Sequence, residues 1–255
     1  MEEPCIVPFE RLKEEPYSSI ICYPKPTKVE VERRLKELRK LGITSLDFVG
    51  KKEVSGLHIL GKGWVGLVVL ADWKHRQVAL KIRRVDADRE RMEREAELLE
   101  IANSANVGPK LFGVTGNFLL MEFVDGVLLP EWLETKMEKT PLRKVLCDVL
   151  EQCWRLDGIG LDHGELSNAP KHIIVNRKNV PVMVDFESAS IRRKSSNVTS
   201  LFQFLFVGSA VAKKMAKRLG EMDKTKVVEM LREYKKDRSR ENFEKILTVS
   251  GLQMI

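Results

Sequence analysis

The spacing of apolar residues divides the chain into a strand-rich first half and a helical second half. Between residues 27 and 41 an apolar residue recurs every three or four positions, which predicts one amphipathic helix. Its apolar stripe consists of Val31, Leu35, Leu38 and Leu41. Thr27 and Glu30 form a capping box at the start of this helix, and Gly42 provides a stop at its end.

Strands are predicted from about residue 46 onward. Two runs rich in aliphatic and β-branched residues are joined by a polar stretch at residues 72–77, which predicts a hairpin. A helix is expected over residues 85–103, with Asp86 or Asp88 as its cap. Two further strands are expected, at residues 110–114 and 117–123.

Beyond residue 126 the pattern becomes mostly helical. Helices are predicted at residues 142–156, 198–216, 224–236 and 242–247. Two short strands, at residues 172–176 and 181–186, interrupt this region. A β-rich half followed by a helical half predicts an α+β protein of two lobes with a cleft between them. The predicted divisions are an N-terminal extension at 1–45, a β-rich lobe at 46–125 and a helical lobe at 126–255.

Candidate chemistry begins with the run LGKGWVGLVV, which contains Gly61, Gly63, Gly66 and Val68 between two strand-like segments. Glycines let a backbone approach a triphosphate closely, with N–H groups directed at its oxygen atoms. The G-x-G-x-x-G pattern also occurs in dinucleotide-binding turns, but those open into a helix. Here an apolar strand continues through residues 67–71, which favours a phosphate-covering loop between two strands.

A lysine and a glutamate are predicted to form a pair near this loop. Lys81 ends the apolar strand VALK one hairpin after the glycines, where its ammonium could contact the α- and β-phosphates. Glu95 shares the apolar stripe of the following helix with Met92 and Leu99. Because an unpaired carboxylate is costly to bury, Glu95 is expected to pair with Lys81.

Two further segments extend this ATP-binding pattern. In LLMEFVDG an apolar strand ends in an acidic turn, where Glu122 and Val124 would offer backbone groups to an adenine. In VMVDFESAS, Asp185 ends another apolar strand, where an aspartate can bind the metal that bridges the β- and γ-phosphates. Either segment alone is common, so the order of all the segments carries the prediction.

This order of motifs, with HGELS at residues 163–167 between the last two, resembles the protein-kinase-like fold over residues 61–187. Within that fold the chain is most similar to minimal atypical kinases of the RIO type, in particular to the archaeal group described as Mn²⁺-dependent serine/threonine protein kinases. The resemblance implies a transfer of phosphate from ATP, with Mn²⁺ or Mg²⁺, to Ser or Thr hydroxyls of a protein substrate. It also makes His163 a structural residue of the catalytic loop.

Two positions depart from the family pattern. The resemblance makes Glu165 the residue that orients the substrate hydroxyl, with a carboxylate one methylene longer than the usual aspartate. Pro170 stands five residues later, where the family has a metal-binding asparagine. Asn168, which has the usual side chain, or His172, which directly precedes the apolar strand, would then join Asp185 as a metal ligand. An imidazole ligand would suit Mn²⁺ better than Mg²⁺.

Charge and composition leave alternatives open. The net charge is +7, and much of the excess lies in the C-terminal third, which could contact RNA or a ribosomal particle. Acidic residues interleave with the basic ones there, which favours an ordinary solvated helix face. The alternative functions are a small-molecule kinase and a nucleotide-binding pseudokinase or ATPase that assists RNA or ribosome assembly.

The remaining composition points to a cytoplasmic protein with no membrane partner. The four cysteines show no metal-binding spacing, and the acidic N-terminus lacks an apolar run, so no signal peptide is expected. The most apolar run, at residues 201–212, is too short and interrupted to span a bilayer and suits a buried helix.

Overall fold

The computed structural model describes residues 5–88, 92–135, 138–168, 170–207, 210–220 and 222–253, without the side chains of residues 168, 210 and 224. The chain divides into two compact units. The first consists of Met1–Glu100 and Lys110–Phe123, and the second of Ile101–Pro109 and Val124–Ile255. The fold is mixed α/β, with an antiparallel sheet in the first unit and helices dominating the second.

The first unit is built on strands that pair antiparallel. In chain order they are β1 (Cys5–Pro8), β2 (Ile43–Phe48), β3 (Lys52–Val54), β4 (Leu57–Ile59), β5 (Gly61–Lys62), β6 (Gly66–Trp73), β7 (Arg76–Arg83), β8 (Leu111–Val114) and β9 (Phe118–Glu122). The main sheet has the order β1-β2-β6-β7-β9-β8, β5 also pairs with β6, and β3 and β4 form a separate hairpin.

The predicted hairpin is formed by β6 and β7, which turn at Lys74 and His75 in left-handed backbone conformations. Alternate side chains of both strands point into the core, as the period of a strand requires. The buried set is Leu67, Val69 and Ala71 on β6 and Val78, Leu80 and Ile82 on β7. The strand register pairs Val68 with Lys81 on the other face of this hairpin.

Two helices precede β2 in this unit, α1 (Tyr17–Ile21) and α2 (Lys28–Leu41). Thr27 caps α2 by accepting a hydrogen bond from the Glu30 N–H at 3.2 Å, and Gly42 ends it in a left-handed conformation. The predicted apolar stripe of α2 packs on the core of the sheet, with Leu38 fully buried. The helix is therefore part of the first unit's core.

Arg34 on α2 is fully buried, which the apolar stripe alone did not predict. Its guanidinium donates hydrogen bonds to Oε1 of Glu30 and to the carbonyl oxygens of Ile21 and Arg83, at 2.5–2.7 Å. It also donates to Oδ1 of Asn117 at 3.0 Å. One side chain thus joins α1, α2, the end of β7 and the turn before β9.

Helix α3 (Glu93–Ser104) begins later than predicted. The expected start near residue 85 is wrong, because Asp86 does not cap a helix and instead accepts hydrogen bonds from the Arg84 guanidinium at 2.7 and 2.8 Å. Residues 89–91, in the same predicted helix, lie outside the described part of the chain.

The second unit contains a small antiparallel sheet, in the order β10 (Gly126–Leu128), β11 (Ile173–Asn176) and β12 (Pro181–Met183). Its helices in the described ranges are α4 (Leu129–Trp132), α5 (Lys139–Gly158), α6 (Asn197–Phe206), α7 (Ala210–Leu219), α8 (Lys224–Lys236) and α9 (Arg240–Val249). The single helix predicted over residues 198–216 is therefore two helices, with residues 208 and 209 between them outside the described part.

Asp157 near the end of α5 is the polar centre of this unit and is 2% exposed. Its carboxylate accepts hydrogen bonds from the N–H groups of Asn197 and Val198 and from the Tyr234 hydroxyl, at 2.9–3.2 Å. A carboxylate that accepts the first N–H groups of a helix satisfies donors that have no partner within that helix. Asp157, which lies on α5, therefore caps α6.

Asn197 binds the loop that precedes β11. Its Nδ2 donates to the carbonyl oxygen of Leu161 at 2.7 Å and to Asp157 at 2.9 Å, and its Oδ1 accepts from the backbone N–H of His163 at 2.9 Å. The loop that carries HGELS is thereby fixed to the start of α6.

Across the described ranges, no helix combines the length and apolar character that spanning a bilayer requires.

Candidate functional site

The predicted glycine-rich turn connects β5 to β6. The N–H of Gly63 donates to the carbonyl oxygen of Gly66 at 2.8 Å, which closes the turn. A Cβ atom on Gly66 would lie 2.7 Å from the carbonyl oxygen of Ile82, so packing against β7 requires this glycine. A Cβ on Gly61 or Gly63 would meet no atom closer than 3.6 Å, so packing does not require glycine at either position; Gly61 is half-buried and Gly63 is exposed.

The tip of this turn carries Trp64, which is 91% exposed. Beside it, Lys62 donates a hydrogen bond to the Tyr23 hydroxyl at 2.8 Å and lies over the same ring. Val68 lies on β6, two residues after Gly66. The turn therefore has the aromatic residue Trp64 at its tip and the apolar residue Val68 on the strand that follows it.

Lys81 and Glu95 form the predicted pair. The Lys81 Nζ donates to Oε1 of Glu95 at 2.8 Å, and the two residues are 5% and 4% exposed. β7 supplies the lysine and α3 supplies the glutamate. Removing one partner of such a buried pair typically costs about 3–5 kcal/mol, because the other charge stays buried without compensation.

The predicted adenine contacts lie at the end of β9 and directly after it. Glu122 is the last residue of β9, and its N–H already donates to the carbonyl oxygen of Lys110 at 2.9 Å. Val124 is half-buried and is the first residue of the second unit's main segment.

The second unit brings Glu165, His172 and Asp185 together. The Nε2 atom of His172 lies 2.8 Å from Oε2 of Glu165, and its Nδ1 atom lies 4.0 Å from Oδ2 of Asp185. This Nδ1 is buried and has no hydrogen-bond partner among the described residues. If Nε2 carries the proton that Glu165 accepts, Nδ1 presents a lone pair on the side of Asp185.

Asp185 follows β12 in a left-handed conformation, with φ 70°. Aspartate tolerates this region better than most residues, but the conformation is still uncommon outside glycine. The N–H of Val184 donates to the carbonyl oxygen of His172 at 3.0 Å, which joins the two residues that flank the site. The backbone thus fixes Asp185 and His172 relative to each other.

His163 is a packing residue of this loop. It is fully buried, its ring centroid lies 5.0 Å from that of Phe186, and its Nε2 lies 3.2 Å from the carbonyl oxygen of Val184. Burial, with the neighbouring His172 as the second cause, lowers the pKa of His163 to about 4. The ring is therefore neutral at neutral pH.

The alternative metal ligand, Asn168, ends a short 3₁₀ turn at Leu166–Asn168, and its side chain lies outside the described part of the structure. His172 immediately precedes β11, as the apolar strand pattern predicted. Sequence reasoning missed Ser188, whose hydroxyl donates a hydrogen bond to Oε1 of Glu165. The only available signal was a serine three residues after Asp185 in the run DFES.

A comparison with known families identifies the domain that this chain contains. Residues 70–203, just over half of the chain, match the family model described as the RIO domain. The chain therefore belongs to the RIO domain family. It is also similar to MJ1211, an uncharacterized protein of Methanocaldococcus jannaschii, with 31% identity over 118 residues that cover 46% of this chain and 99% of that protein.

Family membership supports a function at a general level. RIO domains are kinase-like, so the family supports a phosphotransferase that uses ATP and a divalent metal. The identity of the phosphate acceptor and the identity of the metal ion depend on individual side chains of the site.

Proposed function

We propose that the protein is an ATP- and divalent-metal-dependent serine/threonine protein kinase of the RIO-like type. The observation that carries the proposal is the buried Lys81–Glu95 pair. Burying two charges costs free energy that their attraction only partly offsets, so such pairs are weak contributors to stability. A fixed ammonium group that contacts the phosphates of ATP explains this pair better than stability does.

The first unit would bind the nucleotide. Lys81 would contact the α- and β-phosphates, while Glu95 holds its ammonium in place. The backbone at Gly61 and Gly63 would approach the phosphates. Gly66 would keep the turn close to β7, with Val68 beside the nucleotide.

The adenine would be bound by the backbone at the end of β9, through Glu122 and Val124. The first unit would then correspond to the nucleotide-binding lobe of the kinase-like fold, and the second to a reduced helical lobe. Residues 1–45 would be an extension of the first lobe, to which they contribute α2 and β1.

The second unit would supply the groups that act on the acceptor. Glu165 would accept the proton of the substrate hydroxyl, and its side chain is 37% exposed, so a substrate can reach it. His172 would orient this carboxylate through Nε2. The longer side chain of glutamate is compatible with this role, because catalysis in phosphoryl transfer depends mainly on positioning.

Asp185 and His172 fit a divalent metal. The Nδ1 atom of His172 is buried without a hydrogen-bond partner among the described residues, and it lies 4.0 Å from Oδ2 of Asp185. A divalent ion bound there would neutralise charge on the β- and γ-phosphates. A nitrogen ligand favours Mn²⁺, since Mg²⁺ prefers oxygen ligands. Asn168 is the alternative ligand.

Transfer of the labelled γ-phosphate of ATP to a protein acceptor, measured with Mn²⁺ and separately with Mg²⁺, tests the proposal. Asp185→Ala and Lys81→Ala should each lower the transfer rate about a thousandfold, because several kcal/mol of charge stabilisation are lost. The matched controls are Asp148→Ala and Lys144→Ala, which remove the partners of one surface salt bridge and should keep the rate.

Three outcomes would contradict parts of the proposal. A protein that binds ATP but transfers no phosphate to any acceptor would be a nucleotide-binding protein without kinase activity. Transfer only to small hydroxyl compounds would make it a small-molecule kinase. Full activity of Glu165→Ala would remove Glu165 from its assigned role.

The two metal ligands are distinguished by His172→Asn and Asn168→Ala. If His172 binds the ion, His172→Asn should shift the preference from Mn²⁺ toward Mg²⁺, because it replaces a nitrogen ligand with an oxygen ligand. Asn168→Ala should then leave the ratio of the two rates unchanged, and the reverse result would assign the ligand to Asn168.

A further inference from the structure

A short basic segment follows the turn that contacts Glu165. Residues 191–194 have the sequence IRRK, and all four of them are exposed. The chain contains no Asp or Glu between Glu187 and Glu221, so the segment lies in a stretch of positive charge. A surface with one sign of charge raises the local concentration of ligands of the opposite sign. Residues 191–194 form what we call the basic arch.

Both ends of the basic arch are fixed. At its start, Ser190 and Asp162 exchange two backbone hydrogen bonds, at 2.9 and 2.8 Å, and the Ser190 hydroxyl accepts from the Arg192 N–H at 3.1 Å. At its end, Ser195 is 3% exposed, and its carbonyl oxygen accepts a hydrogen bond from the Arg238 guanidinium. A segment that is already ordered loses less conformational entropy when it binds a ligand.

Arg193 joins the basic arch to the segment of Glu165. It donates from Nε to Oδ2 of Asp162 at 2.8 Å and from Nη2 to the carbonyl oxygen of Ser188 at 2.5 Å. A Cβ on Gly164 would lie 2.5 Å from the same Nη2, so the guanidinium lies against the residue directly before Glu165. The Ser188 hydroxyl in turn donates to Oε1 of Glu165. The arch and the Glu165 carboxylate are therefore neighbours within the second unit.

The positive charge that is available to a ligand comes from Arg192 and Lys194. Both side chains are exposed, and neither forms a hydrogen bond or an ion pair with a described residue. The same is true of Lys171, which directly precedes His172. Since Nε2 of His172 lies 2.8 Å from Oε2 of Glu165, unpaired cations stand next to both segments that contact this carboxylate.

We propose that the basic arch binds an acidic segment of a protein, and that this segment carries the hydroxyl group that receives phosphate. The inference rests on the proposed function and names the class of its acceptor, a Ser or Thr with Asp or Glu residues near it. Arg192 and Lys194 come four and six residues after Ser188. Because six residues of extended chain span at most about 22 Å, the acidic residues belong within about six positions of the acceptor.

The side chains of the arch favour an acidic protein segment over RNA. Surfaces that bind single-stranded RNA combine cations with aromatic side chains on which the bases stack. The chain contains no aromatic residue between Phe186 and Phe202. The apolar side chain of the arch is Ile191, which is 51% exposed and can contact an aliphatic side chain of a peptide. The arch therefore fits a peptide and provides no stacking surface for a base.

The first experiment measures binding without ATP. Two fluorescently labelled peptides each contain one serine, flanked by aspartates in one and by asparagines in the other, and the full chain is titrated into each while anisotropy is recorded. The acidic peptide should bind about tenfold more tightly at low salt, and this preference should fall below about twofold near 1 M salt, because salt screens exposed charges.

Charge reversal of the arch provides the test variant. Arg192→Glu combined with Lys194→Glu should abolish the preference for the acidic peptide. Arg192→Gln combined with Lys194→Gln should reduce it without adding repulsion, and far-UV circular dichroism shows whether each variant keeps its fold. The matched control is Lys235→Glu combined with Lys236→Glu, which makes the same change of charge at exposed positions at the end of α8 and should keep the preference.

The second experiment measures transfer of the γ-phosphate of ATP to the same two peptides. The KM for the acidic peptide should be about tenfold lower, with a similar kcat, because contacts away from the reacting atoms act equally on the ground state and the transition state. Charge reversal of the arch should raise this KM to the value for the asparagine peptide or above, with kcat unchanged.

The possible negative results differ in meaning. Transfer to both peptides with equal KM and equal affinity overturns this inference and leaves the proposed function standing. A preference that survives charge reversal of the arch, or that the α8 control also loses, overturns it as well. Tighter binding of a single-stranded RNA than of the acidic peptide would assign the arch to nucleic acid. Binding of the acidic peptide without transfer to either peptide overturns the proposed function, and the role of the bound segment as acceptor with it.

Discussion

Each unit of the molecule contains a buried charged group, Arg34 in the first and Asp157 in the second, close to a segment with candidate site residues. In the first unit Arg34 donates to the carbonyl oxygen of Arg83, two residues after Lys81. In the second, Asp157 binds Asn197, which accepts from the N–H of His163, two residues before Glu165. Arg34 is a cation that donates hydrogen bonds to carbonyl oxygens. Asp157 is an anion that accepts hydrogen bonds from N–H and O–H groups.

The two centres differ in their relation to the family. Asp157 and Asn197 lie inside the segment that matches the RIO domain, at residues 70–203, whereas Arg34 lies before it. The loop near Glu165 is thus fixed by residues of the family segment, while the end of β7 is fixed by a helix outside that segment. They also differ physically, because buried N–H donors are left unpaired more rarely than carbonyl oxygens. Loss of the anion should therefore cost more than loss of the cation.

The largest effect is expected for Asp157→Ala. It leaves the first N–H groups of α6 and the Tyr234 hydroxyl without their acceptor, which should lower the free energy of unfolding of the second unit by about 3–5 kcal/mol. Hydrogen exchange of the α6 amides measures this loss for the second unit separately. Asp148→Ala on the same helix is the control and should change it by less than about 0.5 kcal/mol. An equal effect of the two variants would contradict the central role of Asp157.

Arg34→Met should have the next largest effect. The carbonyl oxygens of Ile21 and Arg83 lose a donor, but Glu30 keeps its contact with Arg33, so the loss for the first unit should be about 2–3 kcal/mol. Exchange of the β7 amides reports it. Arg33→Met, which removes an exposed neighbour, is the control. If Arg34→Met cost more than Asp157→Ala, the difference drawn between acceptors and donors would be wrong.

Asn197→Ala should displace the loop at residues 163–167 and should lower the free energy of unfolding only modestly. The N–H of His163 loses its acceptor, which should cost about 1–2 kcal/mol of stability. If the proposed function is right, displacement of the loop should lower kcat for phosphate transfer up to about a hundredfold, with little change in the KM for ATP. Gln203→Ala, at an exposed position of α6, should leave both constants unchanged. A change confined to KM would contradict a positioning role.

The smallest effect is expected for Asp47→Asn on β2, and it should be stabilising. Burial, with the nearby Asp72 as the second cause, raises the pKa of Asp47, whose Oδ1 is buried without a hydrogen-bond partner among the described residues. The wild-type carboxyl thus contributes most to stability below its unfolded pKa, and that contribution is lost as the pH rises through the raised folded pKa. Replacing it should add about 1 kcal/mol at neutral pH.

The pH dependence checks this prediction. The gain in the free energy of unfolding from Asp47→Asn should disappear on acidification below the ordinary aspartate pKa, where the wild-type group is protonated in both states. Glu53→Gln, at an exposed position of β3, should show no such dependence. A gain that persisted unchanged in acid would show that the pKa of Asp47 is not the cause.

Local patterns predicted most of the first unit. The hairpin of β6 and β7, the ends of α2 and the Lys81–Glu95 contact all follow from spacing within short segments. Arg34 could also have been found, because it lies three residues after Val31 and four before Leu38, on the apolar stripe itself. A charged residue at such a position is expected to find buried partners.

Contacts between distant segments were less predictable. Nothing in the spacing of Ser188 indicates that its hydroxyl meets Glu165, because that contact depends on the turn between them and on the missing Cβ of Gly164. The cap of α6 is likewise provided by Asp157, 40 residues before Asn197, while Asn197 binds the loop that precedes β11. The site in the second unit is therefore a product of tertiary contacts.

Trp64 allows the glycine-rich turn to be followed by tryptophan fluorescence. Of the four tryptophans, Trp64 is 91% exposed, whereas Trp73, Trp132 and Trp154 are buried or half-buried. Its indole should fluoresce at the long wavelengths that are typical of a solvent-exposed tryptophan. Among the four tryptophans, it should be quenched most readily by a collisional quencher in solution. The chain thus contains an intrinsic fluorescent probe at its glycine-rich turn. If the proposed function is right, titration with ATP can be followed through this probe without any label.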